Sequence, residues 1–517
     1  MRKIFCLSFL AVPLMLLSGC NGNNYTYPEP SPEKADGACV STTGTVKVGS
    51  AEYVADFGTI TVSENRNKRT SRLIHLPYIR VHSSSKNPQE PIVVLNGGPG
   101  GSNMRWDWGI MWYLLPEHDI IAVGYRGVDG LTALDCPEVA QAIKGNGDLL
   151  GEESLQSIGR AWTASAKRLA SEGIDLDGYT MIECIEDIEA VRNALGYERI
   201  NLISGSYGTR VAYLYGLKHP EHIRRSAMIC VNPPGGFTWE PETIDRQLRR
   251  YSDLWSQDSV MSVKSKDLYA DMQHVLKNLP RKWLVFSIDP GKVKVVTFAL
   301  LYHRNTAAMV FDAYEAAREG DPSGLALMSI AYDYVVPSMG TWGDMASKAV
   351  SADFDSTRNY NLEMEPLDYP LGSPMSKLQW GPLRYGSWPI QQIPEEFRRL
   401  QHSDVETLLL SGSMDFANPP ELARDKLLPY LNHGTQVILS ECGHFNDVMY
   451  LHPENTRRLL TSFYRTGVAD TSLNTYKPMN FHVSWGFPTL AKVAVGTFTV
   501  IGTAAVVGIV LLIKKAW

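Results

Sequence analysis

Short apolar runs recur along the first half of the chain, separated by stretches of helical period. Ile92-Val93-Val94-Leu95, Ile120-Ile121-Ala122-Val123, Ile200-Asn201-Leu202-Ile203 and Met228-Ile229-Cys230-Val231 are four residues long and rich in branched side chains. Such runs, bounded by Gly, Pro and Asn, predict buried strands. Between them, 154–171 and 180–195 predict helices, the second through Ile182, Ile185, Ile188, Val191 and Leu195 at helical spacing. A further helix is expected over 208–218. Strands that alternate with helices imply a mostly parallel, doubly wound sheet. Residues 42–82 carry shorter alternating runs and predict a hairpin-rich start.

The alternation stops after about residue 232. From there to 400 the pattern is helical, aromatic and interrupted by Pro and Gly, which predicts an inserted, mainly helical lid. Strand-like runs resume at Thr407–Leu410 and Gln436–Leu439, and a last helix is expected over 453–465. The predicted organisation is therefore an α/β core over 42–232 and 401–468 with a lid over 233–400. Residues 20–41 and 469–491, rich in Asn, Pro and Ser, read as spacers.

Both ends read as membrane-directed. Arg2 and Lys3 precede an apolar stretch, Ile4 to Leu17, that is too short to span comfortably. It runs into Leu17-Ser18-Gly19-Cys20, a pattern similar to a bacterial lipobox, which predicts a signal segment over 1–19 and lipidation of Cys20. Val493 to Ile513 carries no charge and is followed by Lys514-Lys515. That length suits a transmembrane helix over 492–513, with 514–517 as a cytoplasmic tail. The catalytic body is then expected outside the cytoplasm, held by lipid, by the C-terminal helix or by both.

Composition narrows the classes. The chain has 517 residues, 20% charged and 44% hydrophobic, with a formal net charge of −6. This is globular composition with no basic footprint, which argues against a nucleic-acid partner. Seven cysteines include Cys6 in the signal segment and Cys20. The five others are an odd number in a disulfide-permissive compartment, so at least one thiol is expected to be free. No Cys-x-x-Cys spacing is present, and the chemistry below calls for no metal or cofactor.

Ser206 carries that chemistry. It lies in Ser204-Gly205-Ser206-Tyr207-Gly208, between a predicted strand and a predicted helix. A serine among small residues at such a turn has the setting of a nucleophile elbow. A serine nucleophile needs a base, an acid that orients the base, and donors for the oxyanion. In doubly wound sheets these groups gather beyond the carboxyl ends of strands. Asp415 follows the strand at 407–410, and His444 follows the strand at 436–439. The order Ser206, Asp415, His444 is that of α/β-hydrolases. Glu441 is a weaker acid candidate. The oxyanion donors are expected from Tyr207, next to the nucleophile, and from Gly98 in the loop Asn96-Gly97-Gly98-Pro99-Gly100-Gly101-Ser102, where glycines allow close backbone approach.

That loop resembles the His-Gly-Gly-Pro-Gly loop of the proline iminopeptidase and tripeptidyl aminopeptidase family of α/β-hydrolases, with Asn96 in place of the His. Tyr125-Arg126-Gly127-Val128-Asp129-Gly130 is similar to the family's Arg-Gly-x-Gly stretch. Asp187-Ile188-Glu189-Ala190-Val191-Arg192 is similar to its helix before the elbow, and Asp415 with Asn418-Pro419-Pro420 to its Asp-x-x-Thr-Pro segment. The likeness covers about 50–232 and 400–465. Ser204 departs from the usual first glycine of the elbow, and the Trp-x-x-Trp-Glu segment of narrow proline iminopeptidases is absent. The resemblance implies removal of residues or short peptides from peptide N-termini, with an early lid acid (Glu240, Glu242 or Asp245) binding the free amine. It also implies a Cys136–Cys184 disulfide, as in secreted members. A carboxylic-ester hydrolase on the same triad, or a non-catalytic binding scaffold, are the alternatives.

Overall fold

The computed structural model describes residues 25–30, 35–105, 109–145 and 147–497. Nine strands form one sheet: β1 (Cys39–Val48), β2 (Ala51–Ser63), β3 (Leu73–Val81), β4 (Gln89–Leu95), β5 (His118–Val123), β6 (Ile200–Gly205), β7 (Ile223–Ile229), β10 (Glu406–Gly412) and β11 (Gly434–Leu439). Their spatial order is β1-β2-β3-β5-β4-β6-β7-β10-β11. The first three are antiparallel to their neighbours, and β5 through β11 in that order are parallel. A two-residue-per-strand hairpin, β8 (Lys282–Trp283) with β9 (Phe286–Ser287), stands apart in the insertion.

Alternation along the central strands explains why both faces are covered. Val93 and Leu95 of β4, Leu202 of β6 and Leu409 of β10 belong to the core on one face. Ile92 and Val94, Ile203 and Leu408 belong to the core on the other. A strand buried on both sides must be apolar throughout, hence the continuous runs. The helices Glu152–Ser171, Met181–Ala194 and Tyr207–Lys218 cover the first face, and Pro453–Thr466 covers the second. Between β7 and β10 the chain forms mostly helices, among them Pro241–Gln257, Pro290–Leu300, Arg304–Arg318 and Trp342–Asp353. They enclose a third core around Tyr251, Trp255, Phe298 and Phe311.

Register sets the active edge. Leu95 pairs with Ser204, Gly205 with Ile229, Ile229 with Leu410, and Gly412 with Leu439. The carboxyl ends of β4, β6, β7, β10 and β11 are therefore level.

Two stretches differ from the composition-based expectation. In 20–41, Tyr25 and Tyr27 lie against Phe57, with centroids 4.8 and 6.1 Å apart, Thr59 Oγ1 donates to the Pro28 carbonyl at 2.7 Å, and Cys39 already begins β1. In 469–491, Met479, Phe481 and Phe487 are buried in the third core, and Arg304 donates to the Lys477 carbonyl at 2.8 Å. Scattered aromatics anchor both stretches despite their polar composition. Among the described residues no helix is long and apolar enough to cross a membrane. The expected span 492–513 is described only as far as residue 497, and the signal segment 1–19 and Cys20 lie outside the described residues.

The implied Cys136–Cys184 disulfide is not formed: both thiols are free. Cys136 caps the helix Pro137–Ala142 with Sγ 3.5 Å from the Leu134 carbonyl. Cys184 faces instead the charges of Lys348, Asp187 and Asp344. The two side chains thus pack in different surroundings. Burial raises the Cys136 thiol to about 12 and the Cys184 thiol to about 11, so both are protonated and unreactive near neutrality.

The motif residues Arg126 and Asp187 prove to be a buried ion pair. Arg126 Nε and Nη2 donate to Asp187 at 2.7 and 2.6 Å, and Nη1 donates to the Glu64 carbonyl at 2.5 Å. Their side chains are 0% and 1% exposed. Asp187→Ala leaves that guanidinium only the looser contact with Glu183 at 3.4 Å and is expected to cost about 3–5 kcal/mol, read as a lowered urea midpoint. Iodoacetamide added to native chain at pH 8 should spare Cys136 and Cys184. Added after unreduced denaturation, it should label both, whereas a disulfide would leave them unlabelled.

Candidate active site

Ser206 stands at the tip of a sharp turn. Its φ is 52° and ψ −122°, between β6 and the helix Tyr207–Lys218. A non-glycine residue holds such a conformation only when its surroundings impose it. The Ser206 N–H donates to the Ile229 carbonyl at 2.9 Å, and its own carbonyl accepts from Thr209 N at 2.9 Å and Thr209 Oγ1 at 2.6 Å. Neighbouring positions have no room for a side chain. A Cβ on Gly208 would meet the Leu95 carbonyl oxygen at 2.1 Å, and one on Gly205 would meet the Phe445 ring at 2.5 Å. Ser204 is fully buried, and its Oγ donates to the Ala227 carbonyl at 3.2 Å, so a hydroxyl fits where glycine is usual.

Asp415 and His444 are brought together beyond β10 and β11. His444 Nδ1 lies 3.0 and 2.9 Å from the two Asp415 oxygens. Asp415 is wholly buried and also accepts from Ala417 N at 2.9 Å and Asn418 N at 2.8 Å. An ionised carboxylate only accepts, so Nδ1 carries the ring proton and Nε2 keeps its lone pair. The Phe445 ring, one residue on, occupies the space left by Gly205 and so brings the histidine loop against the serine turn. Glu441 does not face His444. Its carboxylate accepts from Tyr476 Oη and Met479 N, which excludes it as the orienting acid.

The glycine loop passes over the serine. A Cβ on Gly97 would stand 3.1 Å from Ser206 Cβ and 3.7 Å from its Oγ. Gly98, at φ 132°, adopts a conformation that only glycine holds readily, and Tyr207 opens the helix that follows Ser206. Asn96 hydrogen-bonds within the loop, its Nδ2 donating to the Ser102 and Arg105 carbonyls at 3.1 and 2.7 Å. Asp129 fixes the far side by accepting from Ser102 Oγ, Asn103 N and Tyr125 N at 2.5, 2.9 and 2.8 Å. Burial still leaves its carboxyl above the usual range, with those three donors pulling the other way.

The insertion contributes groups that nothing in the primary structure flagged. Thr341 N donates to the Gly100 carbonyl at 2.9 Å, and Gly100 N donates to Asp344 Oδ2 at 3.1 Å. Asp344 Oδ1 in turn accepts from Lys348 Nζ at 2.7 Å, with side chains 1% and 0% exposed. An Asp and a Lys four apart on a helix read as a solvated pair, so only the fold reveals this one. Tyr302 accepts from His444 N, at 2.6 Å, and its ring lies 5.2 Å from the imidazole. Gln247 Nε2 donates to the Asp415 carbonyl at 2.7 Å. Trp239, Phe298 and Phe416 continue the aromatic wall, with Phe298 5.3 Å from Trp239 and 5.5 Å from both Tyr302 and Phe416. The early acids are differently placed. Glu240 pairs with Arg358 at 2.8 and 3.0 Å, Asp245 accepts from Tyr269 Oη at 2.5 Å and Arg249 Nε at 2.8 Å, and Glu242 is exposed.

Two groups of side chains have metal-ligand composition among the described residues: Glu189–His219–His222, and Cys230–Asp415–His444. In the second, burial and then Asp415 push the Cys230 thiol well above its usual value, so it is a protonated donor to the carboxylate rather than a thiolate ligand.

Comparison with known proteins agrees with this topology. Residues 90–263 match the family model of the alpha/beta hydrolase fold. The tripeptidyl aminopeptidases of Streptomyces lividans and of Streptomyces coelicolor are each 23% identical over 206 residues, which is 37% of this chain and 38% of those proteins. The match thus spans well under half the length of these relatives. Among solved structures, the α/β hydrolase MGS-M2 from a Medee basin deep-sea metagenome library aligns at 15% identity over 77% of this chain and 98% of its own, with a TM-score of 0.37. With the strand order, the level carboxyl ends and the elbow already described, the match over 90–263 identifies the fold of the chain as that of the α/β hydrolases.

Proposed function

We propose that this α/β hydrolase is a serine exopeptidase that removes residues or short peptides from peptide N-termini through an acyl-enzyme. The observation that carries the reading is the buried Asp415–His444 pair, level with a strained Ser206 across the strand ends. His444 Nε2 takes the Ser206 proton as Oγ attacks the scissile carbonyl, and gives it to the leaving amine. Asp415 holds the imidazole in that tautomer and stabilises its cationic form. The oxyanion is received by backbone N–H groups at Tyr207 and Gly98, aided by the N-terminal end of the helix that starts at Tyr207. Water then hydrolyses the ester by the same proton route in reverse. The likeness to tripeptidyl aminopeptidases supports the peptide substrate. A lipidated Cys20 and a C-terminal span would hold the catalytic body at the outer side of a membrane.

One observation favours a second reading, a carboxylic-ester hydrolase. The wall around His444 is aromatic, and Glu240 and Asp245 are already committed to Arg358 and to Tyr269 with Arg249. Among the acids considered, a free amine then has only the exposed Glu242 as a counter-charge.

Ser206→Ala should abolish fluorophosphonate labelling and lower turnover at least about a thousand-fold while the far-UV spectrum is unchanged. Retained turnover would remove the serine mechanism. Aminoacyl and tripeptidyl amides should be cleaved and their N-acetylated forms should not. Equal cleavage of blocked substrates and simple esters selects the ester reading. Asp344→Leu removes the acceptor of Gly100 N and should lower kcat about ten-fold or more with little change in KM. Adding Lys348→Met removes the stranded charge and should recover thermal stability without recovering kcat.

A further inference from the structure

The cluster Glu189–His219–His222 is left unused by the hydrolase site and lies on the opposite edge of the sheet. His219 ends the helix that begins at Ser206, and His222 immediately precedes β7. The seven residues of β7, about 20 Å of strand, separate this edge from the nucleophile. The two imidazoles are stacked, 5.8 Å apart with planes within 10°. One donor atom from each histidine and one Glu189 oxygen lie within 4.8 Å of one another. Glu186, one helical turn before Glu189, has Oε1 2.9 Å from His219 Nε2.

We infer that these side chains form a binding site for one divalent transition-metal ion of the zinc class, which ties the helix Met181–Ala194 to the end of the elbow helix. Two imidazoles with one or two carboxylates are a donor set that such ions take. A specific atom points to it. His222 Nδ1 is buried and 2.9 Å from Glu189 Oε1, yet makes no hydrogen bond. An ion there would take the Nδ1 lone pair and share the Oε1 oxygen that Arg192 also holds. The surrounding contacts support the ligands. Tyr215 Oη donates to Glu189 Oε2 at 2.8 Å, and Arg192 Nη2 and Nε hold the same carboxylate at 2.6 to 3.1 Å, which orients it. Lys218 Nζ is 3.5 Å from Glu186 and Glu221 is 3.7 Å from His222, so three carboxylates face two fixed cations before the ion arrives. Around a tetrahedral ion with bonds of about 2.1 Å, donors stand about 3.4 Å apart. All four side chains are 15 to 27% exposed, and small χ rotations close that gap.

The test uses the full chain at pH 7.5, titrated with Zn²⁺ against a chromophoric chelator and, separately, with Co²⁺. One saturable site per chain is expected, with a rise in thermal midpoint, and Ser206→Ala should bind equally. His219→Gln and His222→Gln should each weaken binding at least about ten-fold and remove the thermal shift, while unfolding at the wild-type midpoint in metal-free buffer. Glu189→Gln should weaken binding similarly. Unchanged affinity in the double glutamine variant, no saturable binding, or a thiolate-to-Co²⁺ band that places the ion on cysteine would each overturn the inference. Because Ser206→Ala separates the two sites, failure here leaves the hydrolase reading standing, and failure of that reading leaves this one.

Discussion

The turn at Ser206 is the constraint around which the rest is built. A serine at φ 52° has its backbone turned so that the Oγ stands clear of the sheet, but the conformation survives only if three flanking elements come very close. The Leu95–Asn96 backbone occupies the space beside Gly208, Phe445 occupies the space beside Gly205, and Gly97 lies against Ser206 itself. These three contacts bring β4, the histidine loop and the glycine loop to one point. Any side chain at 205 or 208 would push them apart, and the catalytic geometry would go with them. The strain therefore specifies the neighbourhood: the parts that relieve or enforce it are the same parts that the chemistry needs.

The insertion is a structural member of that neighbourhood as well as a cover. Asp344 and Thr341 hold both polar atoms of the Gly100 peptide, Tyr302 takes the His444 amide, and Gln247 takes the Asp415 carbonyl. Asp415 and His444 are thus each held by one hydrogen bond from the insertion, and the glycine loop by two. All four bonds cross from the insertion to loops at the strand ends. The buried Asp344–Lys348 pair makes the Gly100 contact rigid, because separating the pair strands a charge.

How much was legible in the sequence follows from range. The central strands, the elbow, Asp415 and His444 could be read because each rests on local pattern: a continuous apolar run, then a turn, then a polar residue at the end of the strand. The roles of Arg126, Asp187 and Asp129 could be seen only as family likeness until the fold showed the buried pair and the loop anchor. Asp344, Lys348, Tyr302 and Gln247 were invisible because their partners are far along the chain and their local setting is that of an ordinary solvated helix. The Cys136–Cys184 pairing failed for the complementary reason: a likeness in position says nothing about where two side chains point, and these face different surroundings. The stretches 20–41 and 469–491 were misleading because composition averages over residues, whereas Tyr25, Phe481 and Phe487 act singly.

Ser204 shows what kind of constraint an elbow motif encodes. The position is usually glycine, yet here its hydroxyl fits between strands by donating to the Ala227 carbonyl. The steric demand falls instead on Gly205 and Gly208, where a Cβ would collide with a ring at 2.5 Å and a carbonyl oxygen at 2.1 Å. A small polar residue at 204 costs little because a partner is within reach, whereas no partner can compensate for overlap at 208. The motif is therefore a map of approach distances, and a departure from it matters only where another backbone already occupies the space.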